Sequence, residues 1–259
     1  MDLGISGKHA LICASSRGLG KACALALAQE GVNVTINGLN SERLQQTAQE
    51  IRDATGVTVQ AIVADINTDA GRQSLLDACP HPDILVNNNA GPPPGRFEDW
   101  DHDDWLTGVE SNMLAPIMMI RGVIEGMEQR QFGRIINITS AMVKSPFTVM
   151  GLSTAARSGL TALSKSLSRR VAKNNVTINN LLPERIDTDR QVFMAKSQAK
   201  AEDTTYEQAR EKIANSIAAK RFGRPEEFGA ACAFLCSVQA SFISGQNLQL
   251  DGGSYHGVI

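Results

Sequence analysis

The feature that most constrains the fold is a short apolar segment that runs through a glycine-containing turn into a helix. Residues 11–13 are apolar, residues 14–20 read Ala-Ser-Ser-Arg-Gly-Leu-Gly, and residues 22–28 are small or apolar. A strand–turn–helix of this kind directs the first backbone N–H groups of the helix to one point, where the helix dipole adds partial positive charge. Glycine spacing alone is a weak signal. The context of strand and helix predicts a pyrophosphate site here.

The rest of the chain alternates between strand and helix patterns. After the first strand, we predict strands over 32–36, 57–63, 83–87, 134–139, 176–181 and 246–250. Helices are predicted after Ser41 as N-cap, from about Asp103, and over 152–172. Such alternation implies right-handed crossovers and a parallel sheet. We therefore expect an α/β protein: a single-domain Rossmann fold over 1–259, a doubly wound parallel sheet of about seven strands with helices on both faces.

Two insertions are expected beside the ligand-binding edge of this sheet, which lies at the carboxyl ends of its strands. One is the stiff loop 91–95, Gly-Pro-Pro-Pro-Gly. The other is the charged, partly helical stretch 187–221, which we predict to be a substrate lid.

Composition narrows the classes of partner. The 259 residues carry a net charge of −2, which favours neither nucleic acid nor a membrane surface, and no apolar run is long enough to span a bilayer. The beginning of the chain lacks the pattern of a secretory signal. Five cysteines in mostly apolar surroundings indicate reduced thiols and a cytoplasmic protein. The acidic run 98–104 is interpreted as helix capping, and Cys232 with Cys236 as core, so no metal is expected.

Several short motifs lie in order along this pattern: Arg17-Gly18-Leu19-Gly20, Asp65, Asn88-Asn89-Ala90-Gly91, Asn112, Ser140, Pro183 with Thr188, residues 223–227, Ser244-Gly245 and Asp251-Gly252-Gly253. With these motifs the chain resembles the short-chain dehydrogenase/reductase family over nearly its whole length. The subgroup it most resembles is that of the 3-oxoacyl-[acyl carrier protein] reductases. The resemblance implies a nicotinamide dinucleotide, a small-molecule carbonyl or alcohol substrate, and a homotetramer built through helices 103–130 and 152–172.

The resemblance also assigns cofactor-binding positions, namely Ala14, Ser16, Arg17, Gly18, Leu19, Gly20, Asp65, Ile66, Asn88, Asn89, Ala90, Gly91, Pro183, Glu184 and Thr188. Two of them depart from the family pattern. Ala14 stands where the first glycine of the turn is expected, and Glu184 replaces the glycine after Pro183. The asparagine run 87–89 fits the family motif in two registers. Together these departures predict weaker cofactor binding than is usual in the family.

The catalytic positions depart further. The family uses Tyr-x-x-x-Lys, which begins thirteen residues beyond the serine matched by Ser140, and here those positions hold Ser153 and Arg157. A tyrosine has a pKa near ~10, whereas a serine hydroxyl is far less acidic, and an arginine keeps its charge but does not release a proton. The chain's tyrosines are Tyr206 and Tyr255. The candidate catalytic residues are therefore Asn112, Ser140, Ser153 and Arg157.

Cofactor preference follows from two observations. Residues 36–39, at the end of the predicted second strand, offer no carboxylate for the ribose hydroxyls that NAD-selective sites bind. Arg17 resembles the family's ligand for the 2′-phosphate, and an arginine suits a phosphate. NADP is therefore favoured over NAD. The alternative is that Arg17 is ordinary solvated surface.

Asn112 carries a physical hint of its own. Pro116 lies four residues later and has no N–H, so the Asn112 carbonyl loses its helical partner. That carbonyl then either holds a water in a proton relay, as in the family, or belongs to a simple kink and is satisfied by a side chain.

Three functions remain open at this stage. The first is an NAD(P)-dependent oxidoreductase that acts on a carbonyl/alcohol pair and is driven mainly by positioning of the reactants. Its substrate is acidic or an acyl thioester, and Arg157, if it faces the cleft, suits a carboxylate or phosphate on that substrate. The second is a catalytically impaired dinucleotide-binding sensor or assembly partner. The third is a non-redox enzyme, such as a lyase, on the same fold.

Overall fold

A computed structural model describes residues 2–258 and contains one parallel sheet with strand order β3-β2-β1-β4-β5-β6-β7. Its strands differ from the predicted ones by no more than two residues at either end. They are His9–Ile12 (β1), Asn33–Gly38 (β2), Val59–Val63 (β3), Ile84–Asn87 (β4), Gly133–Ile138 (β5), Val176–Pro183 (β6) and Asn247–Leu250 (β7). The predicted seven-stranded, doubly wound sheet is confirmed.

The α-helices of the described chain follow the strands in the expected alternation. They are Gly18–Gln29 (α1), Ser41–Thr55 (α2), Asp69–Ala78 (α3), His102–Val109 (α4), Ala115–Gln129 (α5), Gly151–Val171 (α6), Asp189–Ala201 (α7), Tyr206–Ser216 (α8) and Pro225–Cys236 (α9). Among these helices, none has the length and apolar character needed to cross a bilayer.

Capping explains two of the helix starts. Ser41 was expected to be the N-cap of α2, and this is wrong. Asn40 is the cap, and its side-chain oxygen accepts from the Arg43 backbone N–H at 2.8 Å. Asparagine and serine cap about equally well, so sequence alone does not choose between neighbours. In the acidic run before α4, Asp101 and Asp104 form a reciprocal capping box, as the capping interpretation predicted.

Both faces of the sheet are covered, because alternate side chains of each strand point to opposite sides. Ala10 and Ile12 of β1 pack in one core cluster with residues of α1 and α9, whereas Leu11 packs in a second cluster with residues of α5 and α6. The strands are consequently apolar on both faces, as is usual for parallel sheets.

Strands are added on one side of β1 up to β3 and on the other side from β4 onward, so β1 pairs with β2 on one side and β4 on the other. Loops that leave β1 and β4 therefore run to opposite faces and open a crevice beyond their carboxyl ends. This crevice is where the predicted site residues gather.

Buried asparagines run across the sheet from this crevice. Asn87 donates to Asn137 at 2.9 Å, Asn137 donates to Asn180 at 3.1 Å, and Asn180 donates to Asn247 at 2.8 Å. Each residue lies on a successive strand from β4 to β7. A buried amide needs partners, and this ladder supplies most of them.

The stretch 187–221 contains α7 and α8. An isolated parallel bridge between Ile186 and Gly223 joins the two ends of the stretch. The chain therefore leaves the sheet after β6 and returns to the same place before α9.

Candidate active site

The turn between β1 and α1 leaves the start of α1 without a side-chain cap. Arg17 occupies the N-cap position in an extended conformation, makes no capping hydrogen bond, and no acidic residue lies in the first helical turn. An ideal Cβ at Gly20 would lie 2.5 Å from the Ala14 carbonyl oxygen, so only glycine lets the helix approach the turn this closely. An uncapped helix start at the crevice of a parallel sheet fits a pyrophosphate.

Ala14 adopts a backbone conformation that favours glycine, with φ of 43°. Two asparagines hold it there. The Ala14 N–H donates to Asn37 Oδ1 at 3.1 Å, and Asn88 Nδ2 donates to the Ala14 carbonyl at 2.9 Å. A left-handed non-glycine residue costs on the order of 1–2 kcal/mol, and these contacts from neighbouring strand ends maintain it.

The loop after β4 joins the turn to two other segments. Asn88 reaches the turn at Ala14, whereas Asn87 remains in the sheet within the asparagine ladder. Asn89 donates to Asn67 Oδ1 at 2.8 Å and to the Ser111 carbonyl at 2.9 Å. On the far side, Asp65 Oδ1 accepts from the Asn67 N–H at 3.0 Å, and Ile66 beside it is buried. Three of the predicted cofactor segments are thus linked by side-chain amides.

The start of α7 lies against the same turn. Arg17 Nη1 is 2.7 Å from Asp189 Oδ2, and an ideal Cβ on Gly18 would lie 3.9 Å from the Thr188 methyl carbon. Arg17 is exposed, which agrees with the alternative that it is a solvated surface residue. It also forms this ion pair.

Pro183 and Glu184 lie at the end of β6, where the Glu184 N–H donates to the Leu250 carbonyl at 3.0 Å. Burial raises the pKa of the Glu184 carboxyl above its usual value, with Arg185 acting in the opposite direction and Asp251 adding to the rise. A half-buried carboxyl therefore stands where the family resemblance expected glycine.

Ser153 and Arg157 lie one turn apart on α6 and contact each other. Arg157 Nε donates to Ser153 Oγ at 3.1 Å, and Arg157 Nη1 donates to the Ile138 carbonyl at 2.6 Å. Both side chains are buried, with residue exposures of 3% for Ser153 and 7% for Arg157. The arginine therefore ties α6 to the end of β5, two residues before Ser140.

Among the described residues, no carboxylate forms an ion pair with Arg157. Burial, with a smaller contribution from the positive charge of Arg190, lowers the pKa of the Arg157 guanidinium to about 10. A guanidinium remains charged at neutral pH even so. The site thus contains a fixed positive charge whose countercharge the described chain does not supply.

Two hydroxyl groups keep a hydrogen available for donation. Ser140 Oγ accepts from the Met142 N–H at 3.2 Å, and Ser153 Oγ accepts from Arg157. Neither hydroxyl donates to an acceptor in the described part of the chain, and a hydroxyl that accepts one hydrogen bond can still donate another. Both are suited to bind a substrate oxygen.

Asn112 lies in a π-helical segment, Glu110–Leu114, between α4 and α5. Its side-chain Nδ2 donates to Ser111 Oγ at 2.7 Å and to the Ala90 carbonyl at 3.4 Å. No side chain in the described residues donates to the Asn112 backbone carbonyl. This disfavours the alternative in which the helix is simply kinked and a side chain satisfies that carbonyl. Single-turn π segments occur frequently at functional sites. The role of Asn112 in a proton relay stays a prediction.

A small cavity is lined in part by Arg157. Its volume is about 10 Å³, which is room for about one water molecule. Two of its lining atoms, Asn87 Oδ1 and Asn112 Oδ1, are buried acceptors without a donor in the described chain. Its lining residues are Ile66, Asn87, Asn88, Asn89, Ser111, Asn112, Pro116, Ile138, Arg157 and Leu160.

Arg190, which the sequence did not indicate as a site residue, reaches the site from α7. Its Nη2 donates to the Pro92 carbonyl at 3.1 Å, in the Pro-rich loop that follows Gly91. No motif marked it among the many charges of residues 187–221, although its place in the predicted lid was a weak signal. The Tyr255 ring is 5.4 Å from Lys144 Nζ, which lies four residues beyond Ser140, and Tyr206 contacts Arg210.

A doubly wound parallel sheet with an uncapped helix start at its crevice defines a nucleotide-binding protein of the Rossmann class. The family model described as Enoyl-(Acyl carrier protein) reductase matches residues 13–255. The chain is 33% identical to the NADPH-dependent reductase BacG of Bacillus subtilis over 255 residues, 96% of this chain and 98% of that protein. It is 28% identical to the 3-oxoacyl-[acyl-carrier-protein] reductase FabG of Aquifex aeolicus, over 98% of this chain and all of that one.

Solved structures agree with these relatives. L-sorbose reductase from Gluconobacter frateurii, complexed with NADPH and L-sorbose, superposes with a TM-score of 0.94 at 29% identity, and each chain is covered completely. YwfH, described as an NADPH-dependent reductase involved in bacilysin biosynthesis, gives a TM-score of 0.92 at 32% identity, over 98% of this chain and 100% of that one. The protein belongs to the short-chain dehydrogenase/reductase family.

Proposed function

We propose that this protein is an NADPH-dependent reductase of a small carbonyl compound in which Ser153 and Arg157 take the places of the family's tyrosine and lysine. The observation that carries the proposal is the buried Arg157–Ser153 contact beside the crevice. It combines a fixed positive charge with a hydroxyl whose hydrogen is free to donate. Such a pair can stabilise the negative charge that develops on a carbonyl oxygen during reduction.

The turn and its neighbours fit a dinucleotide. The uncapped start of α1 would hold the pyrophosphate, and Asn88, Ala90 and Gly91 would line its path toward the nicotinamide. Arg17 would hold the 2′-phosphate after leaving Asp189, and the neighbouring reductases described as NADPH-dependent support this choice over NAD. When bound, NADPH supplies the hydride that the carbonyl carbon accepts.

The chain's own groups handle the oxygen of the substrate. Ser140 and Ser153 would donate hydrogen bonds to it, and Arg157 would stabilise its charge through Ser153. The alcohol needs one proton on this oxygen, and the Ser153 hydroxyl would pass it on. We propose that a water in the cavity beside Asn112 replaces that proton and regains its own proton from bulk solvent. Holding the reactants in this geometry can contribute several kcal/mol to the rate.

Absorbance at the NADPH band tests the proposal directly. The purified protein is mixed with NADPH and a panel of 3-oxoacyl thioesters, keto-acids, sugars and aldehydes, a panel chosen because relatives include reductases described as acting on acyl-carrier-protein thioesters and on L-sorbose. Loss of absorbance with at least one substrate is expected. No loss with any of them, together with tight NADPH binding, would support the sensor alternative instead.

A double variant, Ser153→Tyr with Arg157→Lys, restores the family residues. We expect the native chain to reduce a carbonyl without these two substitutions. Activity that appears only in the double variant would show that the native chain is not a reductase.

We also propose that residues 187–221 act as a lid and that the protein assembles as a homotetramer through α4, α5 and α6. Two contacts support the lid: Asp189 pairs with Arg17, and Arg190 reaches Pro92 across the crevice. Leu106, an exposed apolar residue of α4, supports the assembly. Sedimentation equilibrium measures the assembly, and a mass of one chain would contradict it.

A further inference from the structure

We infer that Arg157 and Arg190 form a binding site for the carboxylate of an acidic substrate. The inference rests on the proposed reductase function and names its substrate class: an oxo-acid whose carboxylate lies between the two guanidinium groups. In the reaction, the carbonyl carbon gains the hydride of NADPH, the carbonyl oxygen gains a proton, and the products are a hydroxy acid and NADP⁺. The carboxylate itself does not react.

The first observation is that Arg157 retains an unused donor facing the crevice. Nε and Nη1 are engaged by Ser153 and Ile138, but Nη2 has no hydrogen-bond partner in the described chain. An ideal Cβ built on Gly91 would lie 3.6 Å from this Nη2. The free edge of the guanidinium therefore points toward the loop 91–95.

The second observation is that Arg190, on α7, contacts the same loop. It donates through Nη2 to the Pro92 carbonyl at 3.1 Å, while Arg190 Nε and Nη1 have no hydrogen-bond partner among the described residues. The guanidinium carbon also lies 5.7 Å from the centroid of the Phe193 ring. Burial lowers the pKa of Arg190, and the charge of Arg190 contributes to the lowered pKa of Arg157. Both guanidinium groups therefore lie at the same loop, Arg157 beside Gly91 and Arg190 at the Pro92 carbonyl.

The third observation is the absence of a countercharge in the residues that the structure describes. Arg72 is equally buried but pairs with Asp69 and Glu110, and Arg134 is satisfied by backbone carbonyls and by Asn175. Within residues 2–258, neither Arg157 nor Arg190 pairs with an acid. A buried guanidinium with a second, half-buried guanidinium at the same loop is costly without an anion nearby. The planar donors of arginine fit a carboxylate in two-point contact.

A matched pair of variants tests this site. Arg190→Gln removes the second arginine, and Lys200→Gln removes the same unit of charge from the exposed side of the same helix. Rates are measured with NADPH and either acetoacetate or its methyl ester. The ratio of kcat/KM for acid over ester is expected to fall about 10- to 100-fold in Arg190→Gln, mainly through KM, and to stay unchanged in Lys200→Gln.

A binding measurement without turnover separates this inference from the reductase proposal. The NADPH complex is titrated with 3-hydroxybutyrate or its methyl ester while the melting temperature is recorded. The acid is expected to raise the melting temperature and the ester is not, and Arg190→Gln should abolish the difference. This result would support the site even if no carbonyl were reduced.

Two outcomes overturn the inference while leaving the reductase proposal intact. One is equal use of acid and ester by the wild-type protein. The other is that Arg190→Gln weakens NADPH itself and leaves the acid-to-ester ratio unchanged, which would assign the arginines to a cofactor phosphate.

Discussion

Arg17 Nη1 lies 2.7 Å from Asp189 Oδ2, so the turn before α1 is tied to the first residue of α7. Both side chains are exposed, which makes this pair a weak contributor to stability. Its importance is that the arginine suited to the 2′-phosphate of NADPH is engaged by an acid. In the proposed complex, binding of that phosphate would exchange one ionic partner of Arg17 for another.

Replacing Arg17 tests this exchange. Arg17→Ala is expected to weaken NADPH about 10- to 100-fold and leave NADH nearly unchanged, because a charge-assisted hydrogen bond to phosphate is lost. Nicotinamide fluorescence gives both dissociation constants. Arg170→Ala is the control, since Arg170 is equally exposed in its pair with Glu128. A parallel loss of NADH affinity would contradict a role in 2′-phosphate recognition.

A second prediction concerns the strained turn. Ala14→Gly is expected to raise the free energy of unfolding by about 0.5–1 kcal/mol, because the release of left-handed strain exceeds the entropy that glycine adds to the unfolded chain. Urea unfolding measures it, and NADPH is expected to bind more tightly. The opposite change, Gly18→Ala at φ of 57°, should destabilise the protein. Loss of stability in Ala14→Gly would show that the methyl group packs usefully.

A third prediction concerns the hydroxyl that Arg157 contacts. Ser153→Ala removes the acceptor of Arg157 Nε and should lower the free energy of unfolding by about 1.5–3 kcal/mol, because a buried charged donor loses its partner. The rate constant kcat should fall at least about tenfold while the NADPH dissociation constant stays unchanged. Ser164→Ala, on the same helix and equally buried, should lose stability without this fall in kcat. Equal kcat in both variants would remove Ser153 from the proton path.

A fourth prediction uses the raised pKa of Glu184. The folded protein keeps the proton on this carboxyl to higher pH than the unfolded chain does, so just above the ordinary value of 4.5 the folded state binds more protons. Stability from this group is therefore lost as pH rises through the window above 4.5, and remains lost at neutral pH. Glu184→Gln should raise the melting temperature by about 2 °C at pH 7.5 and by almost nothing at pH 4. A pH-independent difference would mean that burial of the charge is not its cause.

Some of the site could be read from the chain alone. Spacing placed Ser153 and Arg157 thirteen and seventeen residues after Ser140, and a helix brings residues four apart onto one face. Their contact was therefore within reach of sequence reasoning. Arg190 was not, because its approach to Arg157 depends on where α7 lies over the loop 91–95.

The order of strands and helices, and with it the sheet, was determined by the sequence itself, because apolar strand segments and small-residue helices recur at short range along the chain. The exact ends of the helices were less certain, because neighbouring residues such as Asn40 and Ser41 are about equally good N-caps. Only tertiary structure decided the asparagine ladder, the left-handed Ala14 and the two arginines that lack an acidic partner in the described chain. Each depends on contacts at the crevice between segments that are distant in sequence. Short-range periodicity does not encode such contacts.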